Sequence, residues 1–105
     1  LGVDRVVIPE MDQAQRLARI LHSHNVLDYI ELSGDYGILE VPAPKSWADK
    51  TLRELNVRAK MDINIIAAKN GEKTTVSPSA DYRIKADDVL AVLGDMAALE
   101  AMQKL

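Results

Sequence analysis

The sequence predicts an α+β domain: a mixed β-sheet with helices on one face, ordered β-β-α-β-β-β-α over residues 26–105 and preceded by a helical arm. Three observations carry this. Asp28–Leu32 and Tyr36–Val41 alternate apolar and polar residues around Ser33-Gly34-Asp35, the pattern of a hairpin. Thr51-Leu52-Arg53-Glu54 is a capping box, in which Thr and Glu satisfy the first free amides of a helix. Val89–Leu93 is the longest clean apolar run and reads as a central, doubly buried strand.

The remaining elements follow in order. Val3–Ile8 reads as a short strand ending at Pro9. Ala14, Leu17, Ala18 and Leu21 then fall at i, i+3, i+4 and i+7, an amphipathic helix stripe over about residues 10–24. Glu10 and Asp12 begin it and Arg16, Arg19, His22 and His24 lie toward its end, the charge order the helix dipole favours. After the first hairpin, Pro42-Ala43-Pro44 ends the strand, since proline donates nothing to a ladder. Asn56 is placed to cap a second short turn running through Met61. Ile63–Val76 is a second hairpin around Asn70-Gly71, the pair favoured in type I′ turns, with Lys69 able to face Glu72. Ser77-Pro78 breaks it. Asp95 is placed to cap a last helix with Met96, Leu99 and Met102 inward.

Composition narrows the function. The 105 residues suit one compact domain. Apolar residues are 48% of the chain but aromatics only 4%, so the core is aliphatic. No apolar run is long enough for a membrane span. With no Cys there are no disulfides, thiolate metal sites or Cys nucleophiles, and the absence fits a reducing cytoplasm. Lys and Arg number 13 against 16 Asp and Glu, a net charge of −3 with no basic run, a poor match to a nucleic-acid polymer. No Gly-rich phosphate loop is present, and the chain opens on Leu1 rather than Met, which reads as a piece of something longer.

Catalytic and metal chemistry is not evident. His22 and His24 stand two apart on a helix and point to different faces, whereas helical metal pairs use i, i+3 or i, i+4. Asp87-Asp88 sit at the mouth of a strand, where a turn role is expected over a catalytic dyad. The Ser residues lie in turns with no paired base. The expectation is not an enzyme.

At this point the residues resemble a family. Gly2-Val3-Asp4-Arg5-Val6-Val7-Ile8-Pro9-Glu10 resembles the end of the nucleotide-binding half of an RCK domain (regulator of potassium conductance). The helix after it resembles the crossover helix, and residues 26–105 resemble the C-terminal half, RCK_C or TrkA_C. Lys50–Arg58, Ile63–Ala67, Ser77-Pro78 and Asp88–Gly94 carry the likeness, and Asn25–Ser33 is similar to the branch serving Ktr-type bacterial potassium uptake. The resemblance divides the chain into 1–25, the end of the first half plus crossover helix, and 26–105, a ligand-sensing domain. It implies a cytoplasmic protein, an octameric ring at full length, held to the inner face of the membrane by a potassium translocator subunit. An ATP or ADP site is implied only for a first half that this sequence lacks.

For residues 26–105 the resemblance implies a homodimer that binds cyclic di-AMP between two subunits and so inhibits K⁺ transport. Arg58 matches the phosphate-binding position and Asn64 the residue that reads adenine. Leu52, Val57, Ile63, Ile65 and Pro78 are expected to form the apolar bed, with Asn56 and Ser77 beside them. A two-fold ligand with two phosphates suits a dimer offering one guanidinium fork from each subunit. The sequence departs from the family at Met61-Asp62, where an aromatic and Gly are common, and at Ala86-Asp87-Asp88, where Gly-Asp is common. Asp tolerates the left-handed backbone Gly would adopt there, and Asp62 would set a carboxylate near the phosphates. Two alternatives stand beside this reading: a purely structural module that dimerises and transmits strain, and the sensor of a cation/proton antiporter.

Overall fold

The computed structural model describes residue 15, residues 17–22 and residues 26–105. The expected strand Val3–Ile8 and most of the first turns of helix 10–24 lie outside the described residues. Residues 17–21 are helical, with Ile20 buried and Leu17 packed on the core. Of the expected stripe, Leu17 packs on this domain while Ala18 and Leu21 are exposed; the fully buried residue is Ile20, which that stripe did not include, and Arg19 Nε lies 2.5 Å from Glu100 Oε2. His22 turns its Nδ1 back onto the Ala18 carbonyl at 2.8 Å.

Five strands form one sheet: β1 (Asp28–Glu31), β2 (Tyr36–Pro42), β3 (Asn64–Asn70), β4 (Lys73–Val76) and β5 (Val89–Asp95), in the spatial order β1-β2-β5-β3-β4. Between β2 and β3 come a 3₁₀ turn at Lys45–Trp47, helix α1 (Leu52–Leu55) and helix α2 (Val57–Met61); α3 (Met96–Met102) follows β5. The α+β class and the order of elements are those expected. The sheet is antiparallel at every pairing, not mixed. β2 and β3 do run the same way, as the long helical connection between them dictates. They stand one strand apart, and β5 fills the slot antiparallel to both.

Alternation sets the two faces of the sheet. Leu39 and Val41 on β2, Leu90, Val92 and Gly94 on β5, and Ile65 and Ala68 on β3 are buried on the inner face. Met96, Leu99 and Met102 of α3 cover them, and Trp47, Val57 and Ile84 close the core. Val89, Ala91 and Leu93 face the other way and are only half-buried. The run expected to be buried on both faces is central in the sheet but fully covered on one.

Thr51 with Glu54 and Asp95 cap their helices as expected, whereas Asn56 takes the N-cap position of α2 without a side-chain hydrogen bond. Asp95 Oδ1 accepts from the Ala98 amide at 2.7 Å and starts α3. At the second hairpin the register differs by one residue. Asn70 pairs with Lys73, so Gly71-Glu72 is the turn, and only Gly71 (φ +61°) takes a positive φ, as in a type II′ turn. Asn70 is held in the strand because its side-chain amide donates to Asp87 Oδ1 (2.8 Å) and Asp88 Oδ1 (2.9 Å). Lys69 consequently does not face Glu72; its Nζ meets Glu40 Oε2 at 3.3 Å across the outer face.

Candidate functional site

Two left-handed residues shape the ground for the site. Asn56 (φ 48°, ψ 46°) ends α1 and opens α2, and Asp62 (φ 59°, ψ 36°) ends α2. Asn and Asp are the non-glycine residues that tolerate this region best. At 62 the Asp takes the conformation expected of it; Ala86, Asp87 and Asp88 have no positive φ, so the same substitution argument does not apply there. The two turns confine α2 to five residues. Val57 points into the core, and its neighbour Arg58 is exposed.

α1 is anchored by its capping box. The Thr51 hydroxyl accepts from the Glu54 amide at 3.1 Å, and Glu54 Oε1 accepts from the Thr51 amide at 2.9 Å. The Thr51 backbone amide, and then its hydroxyl, hold the Glu54 carboxyl below its usual value. The start of α1 is also bridged to the segment before β5: Thr51 pairs with Arg83, the Leu52 amide donates to the Tyr82 carbonyl (3.1 Å), and the Arg53 amide donates to the Ala80 carbonyl (2.8 Å).

That bridged segment, residues 77–88, is fixed by a buried carboxylate. Asp88 is 1% exposed. It accepts from the Tyr82 hydroxyl (2.7 Å), the Lys85 amide (3.0 Å) and Asn70 Nδ2 (2.9 Å). Burial pulls the Asp88 carboxyl upward, but these donors outweigh it and hold it below the ordinary value. The turn role expected of Asp87-Asp88 thus extends, for Asp88, to a buried anchor.

Between α1, α2, β3 and residues 78–80 lies a cleft of about 350 Å³. It is lined by Leu52, Arg53, Asn56, Val57, Arg58, Asn64, Ile65, Pro78 and Ala80. Leu52, Asn56, Val57, Arg58, Asn64, Ile65 and Pro78 of the sequence-derived set are therefore brought together. Ile63 and Ser77 do not line it. Ile63 is a core residue beside Gly94 and faces a second, more open depression with Leu32, Tyr36, Asp62 and Leu93. Ser77 (φ 50°) donates its amide to the Ile66 carbonyl and ends β4. Arg58 and Asn64 line both cavities and form the ridge between them. Asp62 belongs to the second depression, so no carboxylate lines the first.

Two features leave polar groups of the cleft open to a ligand. Among the described residues Arg58 has no hydrogen-bond or ion-pair partner, leaving its donors available to an anion. β4 pairs with β3 only from Ala67 to Asn70, so the edge of β3 at Asn64–Ile65 is uncovered on the cleft side. A bulge between Ile65 and Ala67 turns the strand there. Arg53 and Ala80 were absent from the sequence-derived set. No local pattern marks them, because the pairing of Thr51 with Arg83, distant in sequence, is what sets both on the cleft. Among the described residues no group of His, Asp and Glu is placed to hold a metal ion. No helix among them is long and apolar enough to cross a membrane.

Comparison with known proteins gives one family and several relatives. The TrkA-C domain family model matches residues 37–105. Ktr system potassium uptake protein C of Bacillus subtilis is 41% identical over 104 residues, 99% of this chain and 47% of that protein. Ktr system potassium uptake protein A of the same organism is 37% identical over 94 residues, 90% of this chain and 42% of that protein. The chain thus spans about half the length of these relatives. Among solved structures, the RCK C domain of the potassium transport protein KtrA in complex with cyclic diadenosine monophosphate matches with a TM-score of 0.61 and 25% identity, over 87% of this chain and 95% of that domain.

Proposed function

This chain belongs to the TrkA-C domain family, and from that premise we propose that it is the ligand-sensing domain of a regulator of potassium uptake. It binds cyclic di-AMP between two copies of itself and thereby inhibits transport through a membrane potassium translocator. The observation that carries this reading is Arg58: a guanidinium with no partner among the described residues, on the same ridge as Asn64 and beside the apolar bed of Leu52, Val57, Ile65 and Pro78.

The chemistry follows from the cleft. A volume of about 350 Å³ lies at the small end of ligand pockets, ~300–1,000 Å³, and suits one nucleoside half of a two-fold ligand. A second copy related by two-fold symmetry supplies the other half with the same residues. Arg58 meets a phosphate with its planar fork. Asn64 offers a donor and an acceptor to the adenine edge, and the uncovered edge of β3 offers backbone groups next to it. The similar KtrA domain was solved with this ligand, which supports the assignment of ligand class. An ATP or ADP site belongs to the part of a full-length regulator outside this sequence. The protein works on the cytoplasmic side of the membrane, where that ligand is available.

Titration calorimetry with cyclic di-AMP tests the reading. The wild type is expected to bind at one ligand per two chains. Arg58→Ala is expected to lose at least about 10-fold in affinity, a charge-assisted phosphate contact being worth ~1.5–3 kcal/mol. A wild type that gives no heat, and whose melting temperature no cyclic dinucleotide raises, would leave only the structural-module reading.

A further inference from the structure

Resting on the ligand reading above, we propose that Arg53 is a second phosphate-binding residue of the cleft and that Asp81 competes with the ligand for it. Arg53 and Arg58 are the charged side chains of the lining, and no carboxylate accompanies them. A pair of guanidiniums on one concave surface without a counter-charge in the lining is the electrostatic form of an anion site. Arg58 lines the neighbouring depression as well; Arg53 lines the cleft alone, where α1 meets the segment before β5.

Arg53 is engaged from outside the lining. Its Nη1 lies 2.7 Å from Asp81 Oδ1, and the two side chains are 69% and 76% exposed. Exposed pairs of this kind contribute little, because water screens them and two flexible side chains must be ordered. A phosphodiester of the ligand matches the carboxylate in charge and in its two free acceptor oxygens, so the guanidinium changes partner without losing a charge-assisted bond. The exchange costs the cleft nothing structurally. The Arg53 amide is bonded to the Ala80 carbonyl and the Leu52 amide to the Tyr82 carbonyl, so the main chain stays in place when the side chain changes partner. Arg53 therefore turns from Asp81 to the phosphate, and the Asp81 carboxylate sets how tightly the protein holds its ligand.

The test is a double-mutant cycle by titration calorimetry with cyclic di-AMP on the wild type, Arg53→Gln, Asp81→Asn and the double variant, with Arg58→Ala as reference. Arg53→Gln is expected to weaken binding about 5- to 10-fold. Asp81→Asn is expected to tighten it about two- to fivefold, the range an exposed ion pair can hold back. In the Arg53→Gln background, Asp81→Asn is expected to change nothing. All three together support the clasp. If the wild type binds and Arg58→Ala does not, but Arg53→Gln stays within twofold of wild type, Arg53 is no ligand residue and the inference fails alone. It also fails if Asp81→Asn weakens binding, or tightens it equally without Arg53. A wild type that gives no heat overturns the ligand reading itself and this inference with it. Circular dichroism on each variant confirms the fold, which these backbone bonds are expected to preserve.

Discussion

Replacing Tyr82 with Phe isolates the bond that ties the segment before β5 to the core. The Tyr82 hydroxyl donates to a carboxylate that is 1% exposed, at 2.7 Å. A hydrogen bond to a charged group contributes ~1.5–3 kcal/mol net. Asp88 keeps its Lys85 and Asn70 donors in the variant, so the lower half of that range applies, about 2 kcal/mol. At roughly 4 °C per kcal/mol for a domain of this size, the melting temperature should fall by about 8 °C.

The pH dependence follows from the direction of the Asp88 shift. Its folded-state pKa is lowered, so its contribution is complete above the unfolded carboxyl value of ~3.9 and is lost as pH falls through the folded value. Urea unfolding of wild type and Tyr82→Phe from pH 7 to pH 3 should show a gap that holds to about pH 5 and narrows below about pH 4. At the alkaline end the Tyr82 hydroxyl is pushed up to about 12, by burial first and by the Asp88 carboxylate second. Raised in this way, it contributes stability that is complete below its unfolded value of ~10 and is lost as pH rises toward the folded one. Ultraviolet titration should lose a component near pH 12 in Tyr82→Phe. A stability gap under about 0.5 kcal/mol, or one unchanged between pH 7 and pH 3, would refute the anchoring role argued from the donors around Asp88.

Two further substitutions probe the frame. Gly37→Ala would place a Cβ 2.5 Å from Tyr29 Cε1, so the ring must move; a loss of about 1–3 kcal/mol is expected in thermal melts. Tyr29→Ala in the same chain should recover part of it, and additive losses would count against the close approach. Thr51→Ala should cost about 1 kcal/mol through the lost cap and let the Glu54 carboxyl rise toward its ordinary value in an NMR titration. An unmoved Glu54 would argue against the capping box.

Much of the frame was legible because it is written in local chemistry. Thr51 and Glu54 cap each other across three residues, Asp95 caps α3, and the alternation of Tyr36–Val41 marks its buried face. What escaped depends on contacts between distant segments. The second turn slipped by one residue because Asn70 is bonded to Asp87 and Asp88, a preference no dipeptide rule contains. The sheet was expected to be mixed; every pairing is antiparallel because β5 takes the place between β2 and β3. At the site, Leu52, Val57, Arg58, Asn64 and Pro78 were reached through family resemblance, and their meeting on one cleft follows from two left-handed turns and a strand edge. Arg53 was invisible for the same reason as the turn slip, since the segment that sets it on the cleft belongs to another part of the chain.

The position of β5 also has a kinetic consequence. Residues 28–42 and 64–76 can each form a hairpin soon after they leave the ribosome, but an isolated two-stranded hairpin is marginal in water. Neither pair can find the other until Val89–Asp95 has been synthesised and slides between them, because that strand supplies hydrogen bonds to both. Folding is then governed by long-range closures whose entropy must be spent before any of them is rewarded, the condition for slow, all-or-none assembly. Until that strand arrives, Leu39, Val41 and Ile65, which the finished sheet buries, lack their cover, and exposed apolar surface of this kind favours aggregation.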